Sequence, residues 1–153
     1  MNFEEIKEMG KEIEVWLKMR NHTVAIKMLN NRNEVPEGAI IPTRDLGHKL
    51  ALCQALSLSE DGNEKTIAMF KEDHYCFEPV IGLGMVKKDE GFFDGTHRYP
   101  DSAKTLKAGK EWCTNMPSLE EGQYQGIVMA PIHKLNFKPD LIFMHVNGLM
   151  LTY

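Results

Sequence analysis

The sequence has little of what usually identifies a protein at sight. Cysteine is scarce: Cys53, Cys76 and Cys113 lie 23 and 37 positions apart. An odd, widely spaced set argues against a disulfide scaffold and for a reducing cytoplasm. No apolar run approaches the ~18 residues that a membrane-spanning helix requires. The opening residues, Met1-Asn2-Phe3-Glu4-Glu5-Ile6-Lys7-Glu8, are charged where a signal peptide would be apolar. Charge of one sign is lacking too. Eighteen basic against 22 acidic side chains leave −4, so neither nucleic acid nor an anionic membrane is an expected partner. Internal repeats, low-complexity tracts, Cys-x-x-Cys pairs, His-Glu-x-x-His helices and serine elbows are all absent. Ile81-Gly82-Leu83-Gly84-Met85 lacks the third glycine and the preceding strand of a dinucleotide fingerprint.

What remains is an ordinary globular composition. In 153 residues, 42% are apolar and 26% charged, enough for one domain with a real core. The ten methionines are scattered, which suits an adaptable core better than a copper-binding tract. Ile6, Met9, Ile13 and Trp16 recur at helical steps, with Asn2 and Glu5 placed for a capping box. The helix should end before Asn21-His22. Thr23–Leu29 alternates as a strand, with Val24, Ile26 and Met28 on one face and Ala25, Lys27 and Leu29 on the other. Loop follows from Asn30 to Thr43.

A second helix is expected over Asp45–Leu58, its stripe made of Leu46, Leu50, Cys53 and Leu56 or Ser57. Thr66–Phe70 reads as a short strand, and Pro79 opens a short helix through Ile81 and Leu83. Lys87–Pro100 reads as loop and Ser102–Glu111 as a helix with Lys104, Lys107 and Lys110 on a solvated face. Strands at Gly126–Ala130 and Leu141–Val146 complete the chain, and Leu149-Met150-Leu151 carries apolar sequence almost to Tyr153. The expected class is α+β: one domain over residues 1–153, a small mixed or antiparallel sheet and three to four helices packed on it. The apolar end suggests either a docked tail or a surface that a second copy or a separate C-terminal half would cover.

Chemistry concentrates in Glu72-Asp73-His74-Tyr75-Cys76. Side chains at i and i+2 of an extended segment point the same way, so His74 and Cys76 are placed to address one metal ion. A helix beginning near Pro79 would favour the Cys76 thiolate. Cys53 would have to arrive by folding. The competing readings are plain: Cys53 and Cys113 as small buried hydrophobes, His74 as a solvated loop histidine, and Lys27 as a snorkelling strand lysine. Glu72 and Asp73 could do acid–base work beside His74, but no second carboxylate is fixed by spacing and no hydrolase mechanism follows. His22, His97, His133 and His145 have no partner close in sequence.

A run of short motifs in fixed order carries a family resemblance. They are Val24-Ala25-Ile26-Lys27, Pro36-Glu37-Gly38, Cys53-Gln54, Glu72-Asp73-His74 with Cys76, and Gly82-Leu83-Gly84. Gly122-Gln123-Tyr124-Gln125-Gly126, Ala130-Pro131 and Pro139-Asp140 follow. In this order the chain resembles domain-of-unknown-function family 169, an uncharacterised family of archaea and anaerobic bacteria. The likeness covers nearly the whole chain and implies no established activity. Family members continue for some tens of residues past a point like Tyr153, into a section with further cysteines, so the resemblance implies a chain truncated at its C-terminal end. They also place small residues after the second cysteine, where this chain has Phe77-Glu78-Pro79.

Together these readings suggest a cytoplasmic protein of anaerobic metabolism. Cys53 and Cys76 would bind a metal or metallocofactor, with His74 as a neighbouring ligand or proton donor and Lys27 as a cation lining the cleft. Zinc fits the residues present; an iron–sulfur cluster or a haem-like tetrapyrrole would draw on the family's further thiolates. The alternatives are a non-catalytic interaction module, forming an oligomer through the apolar end with its cysteines in the core, and a cysteine enzyme using Cys76.

Overall fold

A computed structural model describes residues 2–62 and 64–148, so the apolar run at 149–151 lies outside the described residues. The first helix, α1 (Phe3–Trp16), begins at its capping box: the Asn2 side chain accepts from the Glu5 amide at 2.9 Å, and Glu5 accepts from the Asn2 amide at 2.8 Å. Its inward face differs from the expected stripe. Gly10 is the buried position, and a Cβ there would stand 2.5 Å from Cγ1 of Ile132. The backbone therefore comes closest where a side chain is missing. Ile6 still meets the core, but Met9 and Trp16 turn outward, 50% and 82% exposed. Steps of three and four fit Ile6–Gly10–Ile13 as well as Ile6–Met9–Ile13, and glycine carries no hydropathy signal to separate them.

Four strands form an open antiparallel sheet: β1 (Val24–Leu29), β2 (Ile67–Phe70), β3 (Gly126–Pro131) and β4 (Leu141–Phe143), in the order β2-β3-β1-β4. β1 and β3 lie inside and run in register from Val24↔Pro131 to Leu29↔Gly126. Directly paired residues share a face, which sets Ala25, Leu29, Ala68, Phe70, Val128 and Ala130 on one side. They pack there with Ala39, Ile41, Ile132, Leu135 and Phe137. The helix α2 (Leu52–Glu60) lies against β1, β2 and β3.

The second helix starts later than its periodicity suggests. Pro42–Leu46 makes one wide π-type turn, Gly47 is left-handed at φ 75°, and Leu50 bridges to His74. Only then can helix resume, and the buried side of α2 is Ala55, Ser59 and Glu60. β4 stops at Phe143, three residues short of the expected end.

The chain divides into two compact units, one formed up to Cys76 and again from Tyr124 onward, the other by Phe77–Gln123. The second unit is helical: α3 (Phe77–Gly82), α4 (Glu90–Asp94) and α5 (Leu106–Asn115). Ile81, Phe92 and Cys113 form its core with Phe77, Val86 and Met116 around them. α4 falls in the segment read as loop. It is only five residues long, too short to show a period, and Asp89 starts it by accepting from the Phe92 amide at 3.0 Å. α5 starts four residues beyond Ser102, at the Thr105 cap. The Arg98 guanidinium lies 3.5 Å from the Trp112 ring and 2.7 Å from Glu78. Among the described residues no helix is long and apolar enough to cross a membrane.

Candidate metal centre

The site arises where the two inner strands end together. His22 stands two residues before Val24, and His133 two residues after Pro131, the register partner of Val24. Antiparallel pairing therefore carries two histidines from opposite ends of the chain to one place, their rings 4.6 Å apart and crossed at 63°. The third component comes from the connection between α2 and β2. Glu64 is held in the left-handed region at φ 49°, with its amide donating to the Asp61 carbonyl at 3.0 Å. Its Oε1 lies 3.4 Å from Nε2 of His22, and its Oε2 lies 3.3 Å from Nε2 of His133. One donor atom from each residue can be chosen so that all three lie within 4.8 Å of one another.

Two further groups fix the arrangement. Glu14, reaching over from α1, places Oε2 3.3 Å from Nδ1 of His22, while its Oε1 accepts from the Thr23 amide at 2.6 Å. That contact holds the far side of the His22 ring and leaves Nε2 facing Glu64. Lys134 donates to Oε2 of Glu64 at 2.9 Å and to the Glu64 carbonyl at 3.1 Å. Hydrogen bonds from Lys134 first, then from His133, hold the Glu64 carboxyl down to about 2, so it is ionised at neutral pH.

Chemically, this is two imidazoles and a carboxylate, a donor set suited to a divalent transition metal and poorer in oxygen than calcium requires. A tetrahedral ion with bonds of about 2.1 Å sets its donors about 3.4 Å apart. Each histidine keeps that separation from its own oxygen of Glu64, Oε1 for His22 and Oε2 for His133; a shared ion would draw both Nε2 atoms toward one of these oxygens. A third histidine gathers at the same end of the sheet: His145, two residues past Phe143, donates from Nδ1 to Oε2 of the buried Glu60 at 2.7 Å.

The residues singled out in the sequence lie elsewhere. Cys53 is exposed in the first turn of α2, where it lines a shallow surface cavity of about 470 Å³ with His48, Leu50 and Leu58. Cys76 is half-buried. His74 is buried rather than solvated, 3% exposed, and neither ring nitrogen has a protein partner. Burial lowers its pKa to about 4 against a weaker opposing pull from Asp73, which favours the neutral imidazole at pH 7. Asp73 is a structural hub, accepting from the Thr43 amide and hydroxyl and from the Phe70 amide. Glu72 pairs with Arg32. Lys27 reaches Glu34 at 3.5 Å, as a snorkelling lysine does. Cys113 is fully buried in the helical unit. Among the described residues, the three-donor grouping is His22, Glu64 and His133, and neither Cys53 nor Cys76 joins it.

A family model described as uncharacterised ArCR, the domain-of-unknown-function family 169, matches residues 12–152. The chain belongs to this family. The match takes in Glu14, His22, Glu64, His133 and Lys134 as well as all three cysteines. No curated protein and no solved structure matches the chain. Membership thus brings the fold no borrowed activity.

Proposed function

We propose that this protein binds a divalent transition-metal ion, zinc in the first instance, through Nε2 of His22, Nε2 of His133 and the carboxylate of Glu64. The observation that carries the reading is the convergence of both Nε2 atoms on the two oxygens of one carboxylate, at 3.4 and 3.3 Å. Glu14 supports it by occupying the opposite nitrogen of His22, the arrangement that orients a metal-bound imidazole. The expected cysteine ligands have less support, because neither Cys53 nor Cys76 belongs to a grouping of three donors among the described residues.

Cobalt(II) titration followed by visible absorption and metal analysis tests this directly. One ion per chain is expected, with ligand-field bands that vanish in the double variant His22→Ala/His133→Ala and persist in Cys53→Ser/Cys76→Ser. Absence of binding overturns the proposal. Loss of binding in the cysteine variant alone would move the site to the thiols.

A further inference from the structure

Lys134 stands in an unusual place for a residue beside a metal centre. Its ammonium group contacts the same carboxylate oxygen, Oε2 of Glu64, that faces His133, and it is held a second time by the Glu64 carbonyl. We infer that Lys134 is a built-in competitor for the metal: a tethered cation that holds Glu64 in the metal-free protein and must swing away when an ion binds. The inference rests on the metal-binding reading and adds how the site is regulated.

The charges make the case. Glu14 and Glu64 are the carboxylates in contact with the histidines, and Lys134 neutralises one of them. A divalent ion bonded to Oε2 of Glu64 at about 2.1 Å would share that oxygen with an ammonium group 2.9 Å away. Two like-charged centres on one oxygen repel strongly, and the repulsion is relieved when the mobile one leaves. Lys134 is free to do so: its side chain is 45% exposed, and its four-carbon stem reaches water without moving the backbone. Binding is then an exchange of one cation for another on Glu64. The cost of displacing Lys134 falls on every divalent ion alike, so the exchange lowers affinity, while preference for a transition metal stays with the two imidazoles.

The test is zinc affinity by competition with a chromophoric chelator at neutral pH, for the wild type, Lys134→Met, Lys134→Arg and His22→Ala. Far-UV circular dichroism of each variant establishes that the fold is kept. If Lys134 competes, Lys134→Met binds zinc about tenfold tighter or more, since one like charge at contact distance is removed. Lys134→Arg keeps the charge and stays within a few-fold of the wild type. Equal or weaker binding by Lys134→Met, with wild-type binding abolished in His22→Ala, overturns the competitor role and leaves the metal reading standing. Equal tightening by Lys134→Arg and Lys134→Met also overturns it, because charge would not be the cause. Failure of every form to bind zinc overturns the metal reading and this inference together.

Discussion

His74 offers the sharpest test of the fold's energetics, and the perturbation is simply acid. The imidazole is 3% exposed, and burial pulls its pKa from 6.5 to about 4. Between these values the unfolded chain carries a proton on His74 and the folded protein does not, so stability must fall as pH falls. The contribution is fully present above pH 6.5 and is lost progressively down to about 4. Linkage gives a loss of about 2 to 3 kcal/mol by pH 4.5. The carboxylates held low, Glu64 and Asp45 at about 2, lose their contributions only as pH drops below their ordinary values of 4.5 and 3.8. Most of the window from 6.5 to 4.5 therefore lies above the range in which these carboxylates act.

Urea unfolding followed by circular dichroism at pH 7, 6, 5 and 4.5 reads the effect. With a slope of about 1.5 to 2 kcal/mol per molar for a chain of this size, the wild-type midpoint should fall by about 1 to 2 M across the window. His74→Leu should abolish most of that fall. It should cost little at pH 7, because leucine has a similar volume and no protein group bonds either ring nitrogen. A wild-type midpoint that holds to pH 4.5, or a leucine variant that falls in parallel, refutes the reasoning.

Two further substitutions probe how the elements are joined. Gly10→Ala gains about 1 kcal/mol of helix propensity but drives a Cβ to 2.5 Å from the buried, β-branched Ile132. A net loss of about 1 to 2 kcal/mol is expected, read as a lower thermal midpoint. The loss should shrink in an Ile132→Ala background, where both γ carbons that meet the new Cβ are gone, and a raised midpoint in the wild-type background would contradict the packing described. Asp73→Ala strips the acceptor from the Thr43 and Phe70 amides and should cost about 3 kcal/mol or more, whereas Glu72→Ala, at the neighbouring exposed pair with Arg32, should cost less than about 1 kcal/mol.

The elements that could be read in the sequence were those whose cause is local. Asn2 and Glu5 meet within one turn, so the capping box is visible as a spacing. The alternation from Val24 to Leu29 likewise gave both faces of β1, including Lys27 on the side shared with Ala25 and Leu29. What misled were positions where a non-local contact decides. Gly10 sets the roll of α1 only because Ile132 is there to receive it. The start of α2 waits on the bridge between Leu50 and His74.

The candidate metal centre is the extreme case of such non-local control. Glu14, His22, Glu64, His133 and Lys134 come from a helix, the approach to a strand, a connection and the exit of another strand. No window of sequence contains more than two of them. One signal was nonetheless present. Three of the six histidines sit two residues outside a strand end, at 22, 133 and 145, and in an antiparallel sheet the start of one strand adjoins the end of its neighbours. Side chains at such offsets share one edge of the fold when the register aligns those strand ends, as Val24↔Pro131 and Val24↔Phe143 do here. Thiols are chemically more conspicuous than imidazoles, yet strand register, which depends on turn geometry as well as on hydrophobic pattern, decides which side chains meet.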